Sequence, residues 1–125
     1  MRRSFLPYLL FLLTACSKGS EKEKDYEAPV VTLNTPANNQ VFTGGQSIMI
    51  SGTVTDNKYI EQIHIEISNL ATAAAYQDIH IHPGAASFNF NQAYTIQAGI
   101  AYKIKVIADD ASTNSAAKSA EITCN

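Results

Sequence analysis

The sequence has no tryptophan and only two cysteines, Cys16 and Cys124, in 125 residues. Two thiols permit a single disulfide, the simplest reading for an exported chain. No excess of basic residues exists: nine Lys and Arg stand against eleven Asp and Glu, a formal charge of −2. Without a basic patch there is nothing to neutralise a phosphate backbone, which excludes nucleic acid as a partner. No apolar run approaches the roughly 20 residues that a bilayer-spanning helix needs. No sustained 3.6-residue periodicity occurs from Pro29 onward, so a helical body is not expected. The G-x-S-x-G, P-loop, H-E-x-x-H and paired C-x-x-C patterns are all missing, and no catalysis is expected. What remains suits one ordinary domain: 46% hydrophobic residues, six Tyr and five Phe to fill a core, and too little polarity for disorder.

The N-terminus opens with Met1-Arg2-Arg3 and an apolar stretch from Phe5 to Leu13, broken only by Pro7. At about 1.5 Å per residue that stretch is far shorter than a bilayer core of roughly 30 Å, so it reads as a signal segment and not a membrane span. Leu13-Thr14-Ala15-Cys16 follows, with an abrupt polar switch at Ser17. This arrangement resembles the lipobox of bacterial lipoproteins. The resemblance implies cleavage of residues 1–15, lipidation of Cys16, and attachment to a membrane through the N-terminal lipid. An ordinary signal peptide cut at Ala15 is the plain alternative. Arg2-Arg3-Ser4-Phe5-Leu6 also resembles a twin-arginine export signal, without its preceding hydroxyl residue and following Lys. Lipidation would consume the Cys16 thiol and leave Cys124 unpaired. Loss of Arg2 and Arg3 leaves seven Lys against eleven acids, a formal −4. Ser17 in place of Asp resembles outer-membrane sorting, and the acids that follow resemble surface-export signals of Bacteroidota lipoproteins. Residues 16–28 are polar and mixed in charge, a solvated tether reaching roughly 40 Å when extended.

From residue 29 to 125 the period is two. Ile48, Ile50, Gly52 and Val54 alternate with polar neighbours; so do Ile63, Ile65 and Ile67, then Ile79 and Ile81, Phe88 and Phe90, Tyr102, Ile104, Val106 and Ala108, and Ala120, Ile122 and Cys124. Each run therefore has one buried and one wet face. Breaker clusters separate them: Thr35 to Asn39, Thr43-Gly44-Gly45, Asp56-Asn57, His82-Pro83-Gly84 and Asp109 to Asn114. Asn69 to Tyr76 is too short for an independent helix and reads as a loop or single turn. Short strands at this spacing make a β-sandwich. Pro29 to Leu33, Pro36 to Asn39, Val41-Phe42, Gly45, Ile48 and Ile50 to Asp56, with Tyr102 to Asp109 and Asn114, resemble bacterial immunoglobulin-like domains. The resemblance implies an all-β, immunoglobulin-like sandwich of seven to eight strands with Greek-key topology. It places Tyr102 as a tyrosine-corner residue, while the Asp56-Asn57 breaker separates the alternating run that ends at Val54 from the one that begins at residue 58. The Cys-Trp-Cys hallmark of antibody domains is absent.

Two clusters carry candidate chemistry. If residues 64 and 80 sit opposite in a hairpin, the pairs become Glu66–Asp78, His64–His80 and Gln62–His82. His64, His80, His82, Glu66 and Asp78 would then share one wet face, close enough to hold Zn²⁺ or Cu²⁺. A one-residue slip removes the site; the plainer reading is a polar face that binds nothing. In an immunoglobulin-like sandwich the loops after the second and sixth strands meet the start of the first. That gathers Asp56, Asn57, Asp109, Asp110 and Asn114, with Glu27 nearby, as oxygen ligands for Ca²⁺, although Asp and Asn are also default turn residues. Cys124 continues an inward alternation and reads as a buried thiol. Tyr59, Tyr76 and Tyr94 are candidate contact aromatics. The expected function is a lipid-anchored, non-catalytic envelope module that binds a protein or glycan, or acts as a spacer. The alternative is a metal-binding envelope protein using the surface histidines.

Overall fold

A computed structural model describes residues 24–125; the expected signal segment 1–15, the expected lipidation position Cys16 and the first part of the tether lie outside the described residues. Seven strands and no helix occur among the described residues: β1 (Val30–Thr35), β2 (Gln40–Phe42), β3 (Ser47–Asn69), β4 (Ala75–Ile81), β5 (Ala85–Thr95), β6 (Ala101–Asp110) and β7 (Ser115–Cys124). The 23 residues of β3, if straight, would extend about 75 Å, roughly twice the span of a domain this size. β3 therefore turns a corner. Its first half pairs with β1 and β5, and its second half pairs with β4 and β6. The register against β5 breaks between Thr55 and Ile60, and there the chain passes from one sheet to the other. β6 then pairs with β7, and β7 takes β2 as a parallel edge. The result is an immunoglobulin-like β-sandwich, with the chain crossing again between β4 and β5 and between β5 and β6.

The expected stop at Asp56-Asn57 is instead a corner in one continuous strand. Asp56 Oδ2 accepts the Lys58 and Tyr59 backbone N–H groups at 3.0 and 2.9 Å, so the turn satisfies its own amides. At the far end, Asn69 Oδ1 accepts the Ala71 and Thr72 amides and closes the β3–β4 hairpin as a loop.

The core lies between the sheets, and its residues are the even-numbered or odd-numbered members of each alternating run. Ile50, Val54, Ile63, Ile65, Ile104 and Val106 are fully buried, with Phe90, Ile96, Tyr102 and Ile122 among them. Each buried isoleucine contributes roughly 1.5–3 kcal/mol relative to exposure. Tyr102 is buried, and its hydroxyl accepts the Gln97 backbone N–H at 2.9 Å. That is the tyrosine-corner arrangement. Cys124 is 4% exposed, so it packs as a small apolar side chain.

Candidate metal centres

Two groups of ligand-type side chains converge, one on a sheet face and one at an end of the sandwich. The face is formed by β3, β4 and β6. Ile63, Ile65 and Ile67 point into the core, which sends Gln62, His64 and Glu66 to the wet side. The β3–β4 register sets His64 opposite His80 and Glu66 opposite Asp78. The two imidazole centroids are 4.1 Å apart. Asp78 lies diagonal to the first pair and faces both rings. Its Oδ1 is 3.4 Å from His64 Nδ1, and its Oδ2 is 3.1 Å from His80 Nε2. His80 Nδ1 in turn lies 2.8 Å from the Gln62 amide nitrogen.

His82 and Glu66 do not join this group. β4 ends at Ile81, so His82 has left the ladder and its expected pairing with Gln62 does not form. Its Nδ1 lies 3.3 Å from the Glu61 carbonyl oxygen instead. Glu66 keeps its register with Asp78 but sits opposite Lys105 of β6 on its other side. The three ligand atoms that come within 4.8 Å of one another belong to His64, Asp78 and His80.

The second group is at the end where β1 begins, β3 turns its corner and β6 hands over to β7. Asp25, Asp56 and Asp110 each offer a carboxylate oxygen within 4.8 Å of the others. Asp25 and Asp110 are buried, at 6% and 4% exposure. Asp110 Oδ1 accepts the Ser112 and Asn114 amides, and its Oδ2 accepts the Asn114 side-chain amide. Asp25 Oδ1 accepts the Glu27 backbone N–H at 2.9 Å and the Asn57 side-chain amide at 3.0 Å. These donors, the Glu27 amide first, hold the Asp25 carboxyl below its ordinary value. Asn114 Nδ2 also donates to the Asp25 carbonyl. Asp56 Oδ1 is buried and has no hydrogen-bond partner.

Of the five expected oxygen ligands, Asp56 and Asp110 supply carboxylates to the cluster. Asn57 and Asn114 act as donors to it. Asp109 falls outside: successive residues of β6 face opposite ways, so with Asp110 inward Asp109 points to the outer face. Glu27 is exposed and contributes its amide. Asp25 is the ligand-type residue that the sequence concealed. It sits in a charged run that reads as solvated tether, and its partners are 32 and 89 residues away.

Of the candidate aromatics, Tyr76 and Tyr94 lean on buried Tyr102, with centroids 5.6 and 5.9 Å from it, and Tyr59 and Tyr76 remain 44% and 43% exposed. A groove between β1 and β7 is lined by Val30, Leu33, Pro36, Lys118 and Ala120 among others, with no acid, histidine or cysteine.

Residues 14–124 match the family described as a domain of unknown function, DUF4625. The chain belongs to this family. No curated protein matches the DUF4625 chain. Solved structures share its fold. The fibronectin(III)-like modules of Clostridium thermocellum CbhA align with TM-score 0.56 and 20% identity, over 78% of this chain and 47% of that one. OgpA from Akkermansia muciniphila gives 0.54 and 16%, over 78% and 29%. The superoxide reductase (neelaredoxin) of Ignicoccus hospitalis gives 0.54 and 11%, over 79% and 81%. The DUF4625 chain thus spans about half the length of the first and under a third of the second. At these identities the likeness concerns the sandwich alone.

Proposed function

We propose that this DUF4625 chain is a lipid-anchored, non-catalytic immunoglobulin-like module of the bacterial outer membrane, displayed to bind an envelope protein or glycan or to act as a spacer. The observation that carries it is Cys16 directly behind Leu13-Thr14-Ala15, after a charged start and a short apolar run. Acyl chains contribute about 0.8 kcal/mol per buried CH₂, so more than one chain holds a protein durably on a membrane. Expression with radioactive palmitate in a Gram-negative host tests this. The wild type incorporates label and sediments with outer membranes; Cys16→Ala does neither. An unlabelled, soluble wild type overturns the anchoring.

A second reading concerns how the tether meets the module. Three carboxylates in one largely buried place repel one another, and a buried acceptor without a donor costs about 1–3 kcal/mol. A hard divalent cation relieves both, and oxygen ligands suit Ca²⁺. The orphaned Asp56 Oδ1 favours this reading. Asp25 would then fasten the tether to the sandwich through the ion. Calcium at a hundredfold over Kd stabilises by about 2.7 kcal/mol. The thermal midpoint should rise with Ca²⁺, fall back with chelator, and lose the response in Asp110→Asn. An unmoved midpoint in the wild type sinks this reading.

A further inference from the structure

The histidine face goes beyond the anchoring and the calcium reading, and depends on neither. We propose that His64, Asp78 and His80 form a three-ligand site for a borderline divalent cation, with Zn²⁺ as its redox-silent representative. Three observations meet there. The first is donor chemistry: two imidazoles and one carboxylate are the set that zinc takes, whereas magnesium and calcium prefer oxygen alone.

The second is spacing. Zinc sits about 2.0–2.2 Å from nitrogen and oxygen ligands in a tetrahedron, which puts neighbouring ligand atoms roughly 3.3 Å apart. Asp78 lies 3.4 Å from His64 Nδ1 and 3.1 Å from His80 Nε2. Two edges of the coordination polyhedron are thus close to length, each through a different oxygen of Asp78, and all three ligand atoms lie within 4.8 Å of one another, so a small side-chain adjustment closes the set. Backbone pairing sets the spacing, because His64 and His80 are directly opposed in the ladder and Asp78 is two residues along the same strand. The buried isoleucines on the reverse face exclude a one-residue slip of that register.

The third is an outer hydrogen bond. Histidine ligands almost always engage their other ring nitrogen, which orients the ring and fixes its tautomer. His80 does so through Gln62, at 2.8 Å. A metal on Nε2 needs the proton on Nδ1, and the Gln62 amide accepts it by presenting its oxygen in place of its nitrogen, an exchange that alters no position. Exposure matters as well. The His80 and Asp78 side chains are 46% and 47% exposed, so an ion reaches them without opening the fold. Three protein ligands leave a fourth position for water or for a donor from another molecule. Glu66 is paired across the ladder with Lys105 and stays outside the set.

Zinc titration by calorimetry of the full chain, purified in detergent, tests the assignment. One ion per chain should bind in the micromolar range. His64→Ala, Asp78→Asn and His80→Ala should each weaken binding by about tenfold or more, and Gln62→Leu by about tenfold. His82→Ala should bind as the wild type, because His82 has left the ladder. The imidazole proton resonances of His64 and His80 should shift on zinc addition while those of His82 stay in place. His80 is exposed enough that its loss spares the core, and circular dichroism confirms that each variant is folded. The assignment is overturned by the absence of saturable binding, by wild-type affinity in His80→Ala, or by an equal loss in His82→Ala.

Discussion

Tyr102 shows how one side chain serves two accounts at once. Its ring fills the core beside Ile104 and Ile122 while its hydroxyl answers the Gln97 amide. Tyr102→Phe keeps the ring and leaves that N–H without its acceptor, at a cost of about 1–3 kcal/mol. Urea unfolding should show a lower midpoint with an unchanged slope, since the buried surface is the same. Asp25 gives a pH dependence with a definite sign. Its carboxyl is held below the ordinary value by the Glu27 amide and then by Asn57. The folded value is thus lower than the unfolded one, near 3.9. The stabilisation is complete above about pH 4 and is lost as pH falls through the lowered folded value. In metal-free protein, the fall in thermal midpoint between pH 5 and pH 2 should be smaller for Asp25→Asn than for the wild type. Equal falls would mean that the Asp25 contacts do not distinguish its charged form.

The element that organises the molecule is β3, and its weak point is Gly52. A β-carbon at this position would collide with the Thr32 carbonyl oxygen of β1 and with the Phe90 ring of β5. β1 itself shifts register here, between Leu33 and Thr35. The close approach of three strands is what Gly permits. Gly52→Ala should destabilise by about 1–3 kcal/mol or more through overpacking. The loss should appear first as faster amide exchange in β1, whose Val31, Thr32 and Leu33 pair at or beside this position. A Gly52→Ala variant as stable as the wild type would mean β1 has room to move away. The alternation of β3 was legible, and so were its two apolar runs. That they are one strand was not, because Asp56-Asn57 has the composition of a stop and only the partner strands on either side show it to be a corner.

At the scale of the molecule, the two ends differ. The chain enters at the Asp25, Asp56 and Asp110 end, and β7 carries the C-terminus to the opposite end, where the Leu70–Ala74 loop and the Gln97–Ile100 turn lie. A lipid on Cys16 would therefore place the carboxylate cluster nearer the membrane and the hairpin loop farther out. With the lipidated chain on vesicles, a fluorophore at Ser112→Cys should be quenched by a headgroup quencher more strongly than one at Thr72→Cys. Equal quenching would show that the module lies flat or tumbles freely on its tether.

The sequence by itself determined which residues face inward, because strand side chains alternate and an apolar face must be buried. That was enough to find the sandwich and the core and to put His64 and His80 on one wet face, while their direct opposition stayed a condition that only the strand register settles, since a slip of two residues buries the same isoleucines. Tertiary structure alone decided the membership of the two clusters. His82 lost its place because β4 ended one residue earlier, Asp109 because Asp110 took the inward position, and Asp25 gained one through donors on Asn57 and Asn114. Such placements follow from where separate strands end and how loops meet, and no local period in the chain encodes them.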